Sequence, residues 1–151
     1  MRTSSLSSAA FLAGSLLLSA FSCERKGDDP CASPEIAGTD VRWFPCASDS
    51  NMQQAKLFVV NSAQEFAAAF PCSSYRPRAS AFQDSTLLVG WKNYCCCGQV
   101  KSRRLTYACE ANTYTYQVVI EAGVCQAALP VISQLLVPKL PAGARVVLDM
   151  Q

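Results

Sequence analysis

Nine cysteines, three of them consecutive at Cys95-Cys96-Cys97, constrain this chain more than any other feature of its sequence. So many thiols in 151 residues are unusual for a cytosolic protein and typical of an exported one, in which pairs oxidise to disulfides. Because nine is odd, at least one cysteine needs a role outside a set of intramolecular disulfides. The chain has no histidine, which excludes a His-based general base, a Ser-His-Asp or Cys-His catalytic site and every zinc site with a His ligand.

The N-terminal segment 1–22 predicts the role of the odd cysteine. It contains no acidic residue, and its apolar run over residues 9–21 has the length of a secretory signal and is too short to span a bilayer comfortably. The run ends in Ser-Ala-Phe-Ser-Cys, which resembles a bacterial lipoprotein signal with Cys23 acylated, although Ala20 stands where that pattern usually carries Leu. The alternative is an ordinary secretory signal cleaved after Ala20 or Ser22.

The polar composition of residues 23–40 predicts a flexible tether between the lipid and a globular domain over 41–151. Lys26 followed by two aspartates resembles the surface-export signal of Bacteroidota-type lipoproteins, and a plain solvated tether is the alternative. No later apolar stretch is long enough to cross a bilayer, so the lipid would be the only membrane anchor. We therefore expect a location at the bacterial outer membrane, facing either the periplasm or the outside.

Once Cys23 is set aside, an even set of cysteines remains, and an even set in an exported chain predicts a disulfide framework. Each bridge would stabilise the domain by roughly 2–4 kcal/mol. The sequence leaves the connectivity open. The candidates for disulfides are Cys31, Cys46, Cys72, Cys95, Cys96, Cys97, Cys109 and Cys125.

The cysteine triplet has three alternative interpretations. On a strand, Cys95 and Cys97 would point to one face and Cys96 to the other, and adjacent cysteines rarely bridge each other, so the first interpretation gives the three thiols three distant partners. The second is a metal site made only of thiolates, but the chain has no C-x-x-C pair to indicate one. The third is a redox centre, which would need a thiolate-stabilising environment.

The hydrophobic pattern predicts a β-rich α+β fold with a mainly antiparallel sheet, one short helix and disulfide reinforcement. Ser62 and Glu65 form a capping box before a helix over residues 63–70, which Pro71 ends. Segment 41–44 is either a short edge strand or an aromatic anchor. Strand composition occurs at 56–60, 86–91 (a central strand), 100–107, 113–120, 135–137 and 144–150.

Segments 100–107 and 113–120 predict a hairpin, whose register follows from its aromatic residues. Pairing Tyr107 with Tyr114 sets Leu105 opposite Tyr116 and brings aromatic and aliphatic side chains together. Extending this register places Cys96 opposite Cys125, and a slip of one residue places Cys97 there. Cys125 should therefore pair within the triplet, with Gly98 and Gly123 as possible bulge positions.

No motif for a catalytic nucleophile or a phosphate-binding loop is present, and we predict no catalytic residue, no metal and no cofactor. A basic stretch either binds an anionic partner or forms the solvated face of a strand pair: Lys92, Lys101, Arg103 and Arg104. Without alternating aromatics on the same strand, it does not indicate nucleic acid. The Tyr and Trp residues either line a sugar- or peptide-binding surface or pack in the core: Trp43, Tyr75, Trp91, Tyr94, Tyr107, Tyr114 and Tyr116.

From residue 56 onward the sequence has the segments KLFVVNSAQEFAAAF, AFQDSTLLVGW, YTYQVVIEAG and LLVPKLPAGARVVL. This layout resembles the C-terminal domain of the PrcB-type protease-complex lipoproteins, with a late V-P-K segment. AFQD departs from the usual order of that family, and Cys-Cys-Cys-Gly replaces a Gly-Gly turn. The resemblance implies an accessory or stabilising role towards a partner protein and carries over no catalytic residue.

We therefore expect a non-enzymatic, lipid-anchored envelope protein that binds or stabilises another envelope protein. Its partners would be the membrane, through the lipid, and that protein. One alternative is a disulfide-stiffened binding or protease-inhibitor module. Another is a thiol or metal protein that uses Cys95 to Cys97.

Overall fold

The computed structural model of the chain describes residues 34–43, 46, 54–125 and 127–151. The predicted signal segment, Cys23 and Cys31 lie outside these residues. The described part contains a short α-helix, α1 (Ala63–Ala69), and a 3-10 turn at Ala79–Phe82. Its strands are β1 (Glu35–Ile36), β2 (Thr39–Asp40), β3 (Lys56–Val60), β4 (Ser85–Tyr94), β5 (Gln99–Ala108), β6 (Thr113–Glu121), β7 (Leu129–Pro138) and β8 (Arg145–Met150).

The strands form two four-stranded sheets. Sheet A has the order β1-β5-β6-β8, and sheet B has the order β2-β7-β4-β3. Neighbouring strands are antiparallel except β6 and β8, which are parallel. The prediction of a β-rich α+β fold with mainly antiparallel pairing and one short helix is confirmed, with two sheets where the sequence pattern indicated one.

Strand β4 is central because it is apolar on both faces. Leu87, Leu88 and Val89 are fully buried, and β4 lies between β7 and β3. Leu88 packs into the core between the two sheets, whereas Leu87 and Val89 pack into a second core under α1. A continuous apolar run is what a strand covered on both sides requires, so the prediction of a central strand is confirmed.

The helix begins where the capping box places it. The Ser62 hydroxyl accepts a hydrogen bond from the Glu65 N–H at 3.1 Å, and the Glu65 carboxylate accepts one from the Asn61 N–H at 2.7 Å. Phe66 and Phe70 lie one helical turn apart and are fully buried. Their rings pack against each other at a centroid distance of 5.1 Å with tilted planes, which fixes α1 on the outer face of sheet B.

The hairpin of β5 and β6 has the register that its aromatic residues predict. Tyr107 pairs with Tyr114, and Leu105 pairs with Tyr116. The two tyrosine rings lie 4.7 Å apart between centroids. A bulge between Val100 and Ser102 shifts the register nearer the start of β5. The bulge therefore lies inside β5, and not at Gly98 or Gly123.

The end of the predicted tether belongs to the fold. Glu35 pairs with Thr106 in sheet A, and Thr39 pairs with Leu136 in sheet B, so residues 34–40 run from one sheet to the other. Strands of two residues show no periodicity, and a polar segment of this kind therefore resembles a linker in sequence. The folded domain begins before residue 41.

Segment 41–43 is not a strand, and the aromatic-anchor interpretation describes it. The Trp43 ring lies 6.1 Å from Phe66 and 5.6 Å from Phe82 between centroids, with near-perpendicular planes. The ring packs at the edge of the second core, which lies under α1. Phe44 lies outside the described residues.

Strand β7 contains a proline, Pro130, near its start. Strand β2 pairs with β7 only at residues 135–136, so at Pro130 β7 pairs with β4 alone. A strand tolerates proline where one side needs no N–H donor.

Candidate functional site

A groove of about 760 Å³ opens at one end of the sandwich, where β2, β5 and β7 meet. One wall comes from segment 40–42 and the other from the start of β5 and of β7. The lining mixes apolar and charged side chains, among them Asp40, Val41, Arg42, Val100, Arg103 and Ile132. A concave site of this size with a few polar groups on an apolar lining suits a ligand or a short peptide segment.

An ion pair crosses the groove. Arg103 on β5 lies 2.7 Å from the Asp40 carboxylate on β2 and donates a hydrogen bond to the Gln134 carbonyl at 3.3 Å. The Asp40 side chain is 67% exposed and that of Arg103 is 22% exposed. A pair this open to water contributes only about 0–1 kcal/mol, so a charged ligand can compete for either partner.

Gln134 joins the groove to the aromatic anchor. Its side-chain oxygen accepts a hydrogen bond from the main-chain N–H of Trp43 at 3.0 Å, while its main-chain oxygen accepts one from the Arg103 guanidinium. Arg42, which precedes Trp43, is exposed and lines the same groove. The Gln134 contacts therefore fix the backbone of the segment that carries Arg42.

A buried polar pair lies in the core between the two sheets. The hydroxyls of Tyr116 and Ser133 are 2.7 Å apart, and both residues are fully buried. Burial raises the pKa of Tyr116 to about 12; the hydrogen bond to Ser133 and the charge of Arg103 oppose this shift, and the charge of Asp40 adds to it. Tyr116 is thus a neutral, hydrogen-bonded core residue at physiological pH.

The predicted basic stretch does not form one surface. Lys92 donates to the Met150 carbonyl at 3.1 Å and lies 5.9 Å from the centre of the Tyr94 ring. Arg104 donates to the Gln117 side chain at 2.9 Å on the outer face of sheet A.

Lys101 stands at the bulge and is exposed, whereas Arg103 points between the sheets to the groove. The bulge and the alternation along β5 separate these charges, so only Arg103 of the predicted set belongs to the groove.

The predicted aromatic set is also dispersed. Tyr75 and Trp43 pack together at 5.7 Å between centroids on the helix side, and Trp91 is buried in β4. Tyr107 and Tyr114 pair on the hairpin. Packing, and not a common binding surface, accounts for these rings.

The cysteine triplet forms a turn after β4, which corrects the expectation that it continues a strand. Strand β4 ends at Tyr94, and Cys96 and Cys97 have left-handed φ values of 65° and 53°. Cys97 is bonded to Cys125 with a Cα–Cα distance of 5.5 Å. The prediction that Cys125 pairs within the triplet is confirmed.

The expectation that all three cysteines of the triplet have distant partners is wrong, because Cys95 and Cys96 are free thiols in the described part of the chain. Their mutual hydrogen bond, the repulsion between the two thiolates and burial raise the pKa of Cys96. Because Cys96 and Cys97 have left-handed backbone, the side chains of the triplet do not alternate between two faces as they would on a strand.

A second disulfide borders the groove. Cys46, which lines the groove, is bonded to Cys72 with a Cα–Cα distance of 5.8 Å, and Cys109 is disulfide-bonded as well. The predicted disulfide reinforcement of the fold is therefore confirmed by these bonds.

Sequence reasoning missed most of the groove. Asp40 fell in the predicted tether, and Gln134 gave no signal within an otherwise apolar strand. Arg103 belongs to the predicted basic stretch, and the basic Arg42 beside an aromatic pair is a further local indication. Pairing of distant strands, which no local pattern encodes, brings these residues together.

Within residues 34–43, 46, 54–125 and 127–151, His, Cys, Asp and Glu form no group of three suited to a metal ion. In the same part of the chain, no helix has the length and apolar character needed to cross a membrane. Comparison with protein-family models, with curated proteins and with solved structures finds no match to this chain.

Proposed function

We propose that this chain is a lipid-anchored bacterial envelope protein without enzymatic activity, which binds and stabilises another envelope protein. The lipid is attached to Cys23 and holds the domain at the outer membrane. The lipoprotein-like signal, the export-type cysteine content and the resemblance to PrcB-type accessory domains support this proposal.

The groove is the observation that carries the binding role. Val41 on one wall and Val100 and Ile132 on the other give it an apolar lining, which suits apolar side chains of an extended peptide segment. Arg42 and the Asp40–Arg103 pair offer charges of both signs at its edge. A segment of a partner protein with alternating apolar and charged residues would match this lining.

Disulfides support the walls of the groove. Cys46 contributes to one wall and is bonded to Cys72, while Gly98 and Gln99 of the other wall follow directly after the bonded Cys97. A binding site held in shape before the partner arrives loses less conformational entropy on binding. This is the arrangement that a stabilising accessory protein needs.

Site-specific photocrosslinking in cells tests the groove. A benzophenone amino acid replaces Gln99, an exposed residue of the lining, and in a matched control it replaces Val147, which is 41% exposed on β8 and lies outside the lining. We expect one envelope protein to crosslink from position 99 and not from position 147. Equal crosslinking from both positions, or none from position 99, contradicts the proposed groove. A crosslinked protease that loses activity in the complex would instead favour the inhibitor alternative.

Metabolic labelling with an alkyne analogue of palmitate tests the anchor. We expect label in the wild-type protein and none in Cys23→Ala, which should also leave the membrane fraction. Cys95→Ala is the matched control, because it removes a free thiol of the folded domain and should keep the label. Label that persists in Cys23→Ala refutes the assignment of the anchor.

A further inference from the structure

Strand β8 leaves one edge of sheet A open. In the described part of the chain, β8 pairs with β6 alone and is the last strand in the order β1-β5-β6-β8. It is six residues long, contains neither proline nor glycine, and runs beside β6 without a shift of register. An edge of this kind can accept a further strand, which a very short strand, a proline or a bulge would hinder.

The direction of the main-chain groups of β8 follows from the residue after the strand. Gln151 donates to the Val118 carbonyl at 3.0 Å and accepts from the Ile120 N–H at 2.7 Å, so its main chain faces β6. Successive residues of a strand direct these groups to opposite sides. Val146 and Leu148 therefore direct their N–H and C=O groups away from β6, to the open edge.

The side chains of β8 form a pattern that complements its own reverse. Arg145, Val147 and Asp149 share the outer face of sheet A, and Val147 is 41% exposed. Val146 and Leu148, between them, pack against the core between the two sheets. Among the described residues, Arg145 has no ion pair. Two antiparallel copies of β8 centred on Val147 place Arg145 of each copy opposite Asp149 of the other, and a shift to the next register on the same face removes both charge pairs.

We propose that two copies of this chain pair through β8, antiparallel and about a two-fold axis at Val147. In this register, Val146 of each copy exchanges both main-chain hydrogen bonds with Leu148 of the other. The two Val147 side chains meet at the axis, with an Arg145–Asp149 pair on either side. The two copies of sheet A then form one continuous sheet.

The proposed interface is separate from the groove. Strand β8 is one edge of sheet A, whereas β5, which lines the groove, lies next to the other edge. A variant that no longer pairs should therefore still crosslink to the envelope partner from position 99. A benzophenone amino acid at position 147 should crosslink only to a second copy of this chain. Failure of either interface is thus distinguishable from failure of the other.

Native mass spectrometry of the mature protein, extracted from membranes in detergent, tests the pairing. We expect particles with two chains. Val147→Lys sets two like charges against each other at the axis and should raise the dissociation constant at least about 10-fold. Val119→Lys adds the same charge to the outer face of sheet A on β6 and is the matched control, which should pair as the wild type does. Amide hydrogen exchange at Val146 and Leu148 should be slow in the pair and fast in Val147→Lys.

An exchange of charges separates the interface from a general loss of stability. Arg145→Asp and Asp149→Arg each place like charges opposite each other and should also weaken pairing at least about 10-fold. The variant with both substitutions restores opposite charges and should recover the pairing. A protein that stays monomeric up to about 100 μM, equal pairing in all variants, or no recovery in the combined variant overturns the proposal. Slow exchange at Val146 and Leu148 in a monomer would mean that another segment covers this edge, and would equally overturn it.

Discussion

The hydroxyl pair of Tyr116 and Ser133 allows a quantitative test of the core between the sheets. The two oxygens are 2.7 Å apart, and both residues are fully buried. Tyr116→Phe removes one hydroxyl and leaves the Ser133 oxygen buried without this partner, which should cost roughly 1–3 kcal/mol of unfolding free energy. Ser133→Ala likewise leaves the Tyr116 hydroxyl buried without this partner and should lower the unfolding free energy by a similar amount.

The double variant makes the test specific to the hydrogen bond. When both partners are removed, neither hydroxyl is left unsatisfied, so the double variant should lose less stability than the two single variants added together, by about 1 kcal/mol or more. Urea unfolding at neutral pH with the disulfides intact measures all four proteins, and the slope with urea should not change. If the losses add within about 0.5 kcal/mol, the two hydroxyls do not interact as the structure indicates.

Three further substitutions or conditions test the tyrosine, the helix cap and the cysteine turn. Because burial raises the pKa of Tyr116 to about 12, the folded protein keeps the hydroxyl proton to a higher pH than the unfolded chain does. The stability that this group contributes should therefore be present below pH about 10 and fall between about pH 10 and pH 12. Urea midpoints that fall as steeply with pH in Tyr116→Phe would contradict this role of Tyr116. Ser62→Ala removes the hydroxyl that caps α1 and should lower the unfolding free energy by about 1 kcal/mol, whereas an unchanged urea midpoint would show that the cap is not stabilising. Gly98→Ala places a Cβ 2.5 Å from the Tyr94 ring and 2.6 Å from Ile120 and should cost roughly 1–3 kcal/mol; a thermal midpoint equal to that of the wild type would mean that the turn is looser than described.

The elements with strong local signals could be predicted from the sequence. The capping box before α1 contains its own hydrogen-bonding partners, so Ser62 and Glu65 identify the helix start without knowledge of the fold. The hairpin register follows from matching Tyr107 with Tyr114 and Leu105 with Tyr116, because a slip by one residue would separate these aromatic and aliphatic side chains. The apolar run of β4 predicts a strand covered on both faces.

The remaining features depend on contacts that no local pattern encodes. The strand pairs at Glu35 and Thr39 are only two residues long, and their hydrogen-bonding partners lie far along the chain. Strand alternation does not hold for the triplet, because Cys96 and Cys97 have left-handed φ values that no glycine at these positions signals. The groove combines Asp40, Arg103 and other residues from separate elements, so its chemistry emerges only from the fold.

The lipid on Cys23 is the claim from which the envelope location and the accessory role follow. Intact-mass spectrometry of the protein extracted from membranes tests it most directly, because one mass reports both the first residue and any acyl chains. We expect a chain that begins at Cys23 and carries the added mass of the acyl lipid. An unacylated chain that begins at Phe21 or at Cys23 would contradict the anchor and favour an ordinary secreted protein.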